Sequence, residues 1–158
     1  MISATLTVAK DAVMEEVMKT TSYAGKKTDE AVPLQEGQES AYDRMRATEY
    51  DKEQLARFWD EATSMATGRM SRWIKCVTND TSYTAELSLS SRWEEHLQPS
   101  MQASLFSFFV SFIIARWFTL SAKEDADTYM AAANTMLDDV MRKIYHRSAP
   151  ERVEPIDN

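Results

Sequence analysis

Apolar positions recur at spacings of three, four and seven over residues 8–24, where Val13, Met14, Val17, Met18 and Ala24 share one face; this period predicts a first helix. Gly25 follows as its C-terminal stop. Residues 25–40 hold two glycines, a proline and alternating charge, and predict a long loop of a kind that compact domains use for contact or leave as a surface excursion. The second helix opens at Asp51, with Gln54 three residues on as a capping-box variant. Its stripe runs from Leu55, Phe58 and Trp59 through Met70 to Trp73, Ile74 and Val77. Gly68 inside it costs about 1 kcal/mol relative to Ala, and predicts a close backbone approach or a bend.

The period then changes to two. Tyr83, Ala85, Leu87 and Leu89 alternate with Thr84, Glu86, Ser88 and Ser90, which predicts a half-buried strand within residues 78–90, introduced by a turn at Asn79-Asp80. Its best partner is Lys75 to Thr78, peeling off the second helix. A two-stranded hairpin needs cover, and in an oligomer strands of adjacent copies would supply it. Pro99 and Ser100 open a third helix running to about Leu120, apolar on nearly every face from Leu105 to Phe118. Such a helix is either central in a core or membrane-spanning. The 16 residues from Leu105 to Leu120, interrupted by Ser107, Ser111 and Arg116, fall short of the roughly 20 a bilayer needs and favour a buried central helix. Ser100, Ser104, Ser107, Ser111 and Ala115 form a ridge of small residues, a seat for a neighbouring helix or a hydroxyl-lined polar site.

Ser121 with Glu124 forms a second capping box, and starts the fourth helix so soon after the third that the two should be an antiparallel pair. Ala126, Tyr129, Met130, Ala133, Leu137, Val140 and Ile144 make its stripe. Asp125 and Asp127 near its start and Arg142, Lys143 and Arg147 near its end suit the helix dipole. The expected fold is therefore mainly α, a bundle of about four helices with a short β-hairpin or strand between helices two and three. It forms a single domain over residues 1–147, with a tail over residues 148–158, SAPERVEPIDN, that orders only on binding.

Composition narrows the function. The chain has 158 residues, enough for its own core without disulfide or metal. Its three glycines speak against phosphate-cradling loops. One cysteine, Cys76, and two histidines, His96 and His146, exclude thiolate or imidazole cages and leave His catalysis few places. The formal charge is −7, and no block concentrates the basic residues, which argues against nucleic-acid binding unless folding gathers Arg57, Arg69, Arg72 and Lys75. The opening residues carry early acids and no uninterrupted apolar run, so they do not read as a signal peptide, and the lone thiol suits a reducing cytoplasm. Adjacent acids at Glu15-Glu16, Glu94-Glu95 and Asp138-Asp139 point about 100° apart on a helix and do not share a proton. Glu94, Glu95 and His96 lack the convergence of a metal site, and Cys76 with His146 lacks an oxyanion frame. The expectation is a protein without enzymatic activity, cofactor or metal. The ten methionines fill core positions or build an adaptable binding surface, and the four tryptophans belong to the core or a subunit interface.

Three stretches carry a family resemblance: Leu97-Gln98-Pro99 opening the apolar helix, Ala115-Arg116-Trp117-Phe118 ending it, and the last helix closing on Asp139-Val140-Met141-Arg142-Lys143-Ile144-Tyr145. With the order of elements over residues 50–147, they resemble the head-to-tail connector (adaptor, neck) proteins of tailed bacteriophages. The resemblance implies a structural virion protein, a homo-oligomeric ring of about twelve copies beneath the portal, assembled in the host cytoplasm and placed in the neck between head and tail. DNA would pass through it without sequence-specific binding, and no membrane would be involved. It implies contacts with the portal and with tail or other neck proteins through the tail residues Arg147, Pro150, Arg152, Val153, Pro155 and Ile156, and ring contacts through Tyr83 and Leu87 of the strand. Two other classes stay open: a non-viral helical protein-interaction module, and a membrane-active protein inserting residues 105–120.

Overall fold

Alternation of Ala4, Leu6 and Val8 with Ser3, Thr5 and Thr7 makes Ile2–Ala9 a strand, β1, in the computed structural model, which describes residues 1–152. Helix α1 follows at once over Lys10–Ala31, buries Val13, Val17, Thr21 and Gly25, and does not stop at the glycine. The reason is the short helix α2, Ala41–Met45. It crosses so close that a Cβ on Gly25 would lie 2.6 Å from the Tyr42 Cα and 3.0 Å from the Ala41 carbonyl oxygen. Asp29, in the last turn of α1, accepts the N–H groups of Ala41 (2.7 Å) and Tyr42 (2.9 Å), and so supplies α2 with partners for its unsatisfied first turn. The long loop shrinks to residues 32–40, with Gly37 at φ +84°.

Helix α3 spans Lys52–Met70. The capping box lies one turn earlier than expected. Asp51 reaches back to accept the Thr48 N–H at 2.8 Å, closing a 3-10 turn over Glu49–Asp51, and does not reach forward with Gln54. Gly68 is exposed, and a Cβ added to it would meet nothing within 4 Å, so no backbone packs there. Gly68→Ala should therefore stabilise the fold by about 0.5–1 kcal/mol through helix propensity alone, read as a higher denaturation midpoint.

The second helix ends seven residues before Val77, because Ile74–Asn79 pairs as strand β2 with β3, Ser82–Leu89. Trp73, Ile74 and Val77 have helical spacing, but the ladder to β3 decides: a bulge between Ile74 and Cys76 sets Ile74 opposite Leu87 and Val77 opposite Ala85, so both join one face of the strand. The sheet order is β1-β3-β2, all antiparallel, with Ile2 opposite Leu89 and Ala9 opposite Ser82. The cover expected from other copies comes from the chain's own β1. Two further expectations change. The hairpin follows the third helix, because α2 intervenes, and the sheet has a third strand near residue 2. Tyr83 and Leu87, expected at a ring contact, are fully buried: the period of β3 turns them inward with Ala85 and Leu89.

Helix α4, Gln98–Ser121, and helix α5, Lys123–Tyr145, are joined at Ala122. Their pairing is antiparallel, since Ser100 meets Lys143, Ser104 meets Asp139 and Phe118 meets Tyr129. The Ser121–Glu124 capping box does not form; the Ser121 hydroxyl donates to the Trp117 carbonyl (3.2 Å), as part of the last turn of α4. By length and composition α4 is apolar enough to cross a membrane, yet Leu105, Phe108, Phe109, Ile113 and Phe118 are buried inside the protein. Phe109 is the hub, 4.7 Å from Trp59 of α3, 5.3 Å from Tyr83 of β3 and 5.6 Å from Phe108 between ring centroids. Gln98 donates to the Thr5 carbonyl (2.9 Å) and Gln102 accepts the Thr7 N–H (3.3 Å), so α4 bonds the outer edge of β1.

Candidate functional site

The end of α5 and the segment after β3 meet at the root of the C-terminal arm. Trp93 is buried and its indole N–H donates at 2.9 Å to the Lys143 carbonyl, which also accepts the His146 N–H (3.2 Å) that closes the end of α5. Beside it, Ser148 N–H donates to the Arg92 carbonyl (2.9 Å) and the Arg92 guanidinium donates to the Ser148 carbonyl (2.6 Å). This two-way clamp fixes where the arm leaves the body. Both histidines of the chain converge on one carboxylate there: Glu94 lies 3.4 Å from His96 Nε2 and 3.6 Å from His146 Nδ1. Trp73 meets Tyr145 edge-on at 4.9 Å, with Arg72 over the Trp73 ring.

One turn up α5, a polar seam joins the two long helices. Asp139 accepts from the Ser104 hydroxyl (2.6 Å), from Lys143 and from Arg142, while Lys143 also donates to Ser100 (2.6 Å). The lower part of the serine ridge is thus both a seat for α5 and a hydroxyl-lined seam. Asp139 and Lys143 side chains are only 18% and 17% exposed, so each needs the other. Burial pushes the Asp139 carboxyl up, but hydrogen bonds from Lys143, Ser104 and Arg142 together outweigh it and hold the pKa below its ordinary value. A depressed carboxylate pKa gives stability that is present above the unfolded value of about 4 and lost as pH falls through the folded one. Asp139→Asn should therefore be less stable than the parent at neutral pH, and the gap should close below about pH 4 in urea titrations across pH.

Arg147, Pro150 and Arg152 are exposed; Val153, Pro155 and Ile156 lie outside the described residues. Three of the four basic residues considered for a patch are engaged with neighbours. Arg69 pairs with Asp138 (2.6 Å), Lys75 lies 3.8 Å from Glu86, and Arg72 stacks on Trp73. Of the paired acids, Asp138 and Asp139 part as expected, to Arg69 and to Lys143, and Glu15 pairs with Lys19. Cys76 is exposed on β2, and His146 is turned to Glu94. Among the described residues, no group of three or more His, Cys, Asp or Glu has the geometry to hold a metal ion, and no buried side-chain polar atom lacks a hydrogen-bond partner. The convergence of Glu94, His96 and His146 has no signal in the sequence, because His146 lies some fifty residues from the other two. The Asp139–Lys143 spacing of four was a visible signal for the seam.

No protein-family model, curated protein or solved structure matches this chain.

Proposed function

We propose that the protein is a structural connector of a tailed-bacteriophage virion, forming a homo-oligomeric ring under the portal and holding its neighbours through the C-terminal arm. The observation that carries this reading is the arm itself. A well-packed body ends at the Arg92–Ser148 clamp, and Ala149–Arg152 then run exposed, away from the core. A fixed exit point restricts the space the arm samples and lowers the entropy lost on docking. Ser148–Asn158 contains two prolines and both charge signs, a composition suited to extended contact with a partner. The net charge of −7 suits a channel wall that repels the phosphate backbone and lets DNA slide. The buried α4 serves as the pillar on which the other elements are mounted.

Removal of residues 150–158 tests the reading. The shortened chain should keep its melting temperature, because Pro150, Glu151 and Arg152 are exposed. It should fail to co-purify with a co-expressed portal protein, while the full chain forms portal-bound rings visible by electron microscopy. A full chain that never associates with portal refutes the proposal.

A further inference from the structure

We infer that copies of this chain join head to tail through the two ends of α5. The acidic start of α5 with Leu120 in one copy meets the basic, aromatic end of α5 with Tyr145 in the next. The inference rests on the connector reading for its ring, whose expected contact at Tyr83 and Leu87 is closed off by their burial. Helix α5 has 23 residues, so its ends stand roughly 35 Å apart. At its start Glu124, Asp125 and Asp127 are exposed beside a single cation, Lys123. Leu120, just before the joint at Ala122, is 67% exposed. At the other end Tyr145 is 54% exposed and meets Trp73 edge-on, with Arg72 over the Trp73 ring. Arg147 follows two residues later, and Arg92 reaches the Ser148 carbonyl. The carboxylates there are Glu95, Glu94 between the two histidines, and Asp139, which Arg142 and Lys143 hold, so cations outnumber them. Among the described residues, none of Glu124, Asp125, Asp127, Arg72, Arg92 and Arg147 forms an ion pair.

The helix dipole accounts for acids at the start of α5 and bases at its end. It does not account for Arg72 and Arg92, which reach the same end from the segments before β2 and after β3. Each charged end also has an apolar centre, Leu120 at one and Tyr145 with Trp73 at the other, as in a contact with an apolar middle and a polar rim. Charge selects the occupant. A basic end on a chain of −7 calls for an acidic surface with an apolar centre, and the chain carries one at its own far end. The two surfaces differ and lie at opposite ends of one helix, so the contact is heterologous, and repeated copies run on as a filament or close into a ring. A two-fold dimer through either end would instead set like charges together.

Sedimentation velocity on the full chain, over micromolar to millimolar concentrations and without portal protein, tests the contact. The parent should grow beyond a dimer as concentration rises, and less so at high salt. The double variant Asp125→Lys, Asp127→Lys reverses one end, and Arg72→Glu, Arg147→Glu reverses the other. Either variant alone should associate about a hundredfold more weakly, because each contact then opposes like charges. Mixed in equal amounts the two should assemble again, since each reversed end finds its opposite on the other variant, which misfolded chains could not do. A photoreactive phenylalanine analogue at position 145 should crosslink onto the peptide holding Leu120 of another copy. Four results overturn the inference: a parent that stays monomeric because these ends serve a different protein, variants that associate like the parent, a mixture that does not assemble, or a crosslink that maps elsewhere. Failure to bind portal leaves this contact untouched, and portal-bound rings that withstand both reversals leave the connector reading standing without it.

Discussion

Phe109→Ala is expected to cost about 3–5 kcal/mol and to leave the chain at or beyond the edge of folding at body temperature. The size follows from position. Phe109 is fully buried and touches aromatic rings of α3, β3 and α4 at once. Its removal opens a cavity where three elements meet, and each ring pair adds about 0.5–1.5 kcal/mol beyond area burial. Urea unfolding followed by tryptophan fluorescence reads the loss, because Trp59 is the nearest ring. A midpoint within the error of the parent's would mean that α4 is not the centre of the core.

Gly25→Ala should be destabilising by about 1–2 kcal/mol, against the ordinary rule that Ala is the better helix residue. The added methyl would sit 2.6 Å from the Tyr42 Cα, which is backbone and cannot rotate aside. Overpacking costs about 1–3 kcal/mol, from which the helix-propensity gain of up to about 1 kcal/mol is subtracted. The strain falls on α2, so the Asp29 bonds to Ala41 and Tyr42 should weaken with it. Hydrogen exchange at those two amides gives a local readout. The same substitution at Gly68 has the opposite expected sign, and the contrast between the two sites separates packing from propensity.

The parts of the fold legible in the sequence are those whose partners lie close by. The α4–α5 pair followed from a short joint between a helix apolar on nearly every face and one with an apolar stripe, and β3 from the alternation of Tyr83 through Leu89. What escaped depends on distant contacts. β1 alternates plainly at Ala4, Leu6 and Val8, but its partner begins only at Ser82, and nothing local announces the ladder. Gly25 reads as a stop until α2 is seen lying on it. Capping signals at Asp51 and Ser121 were correct in residue type and wrong in use, since each side chain found a bond in the preceding turn. The arm was visible as a segment without period, whereas its anchor at Arg92 was not, because a serine bonded to a remote carbonyl has no pattern in the chain.

The two glutamines on α4 have a bearing on how the chain avoids sticking to itself. A bare strand edge invites foreign strands, but Gln98 and Gln102 occupy Thr5 and Thr7 with amides that imitate a missing neighbour. That protection arrives late in synthesis. β1 leaves the ribosome roughly ninety residues ahead of its side-chain chaperones, and in that interval it is an unguarded hydrophobic ribbon. Replacing both glutamines would prolong that vulnerability into the finished protein, where inclusion bodies would be its visible trace.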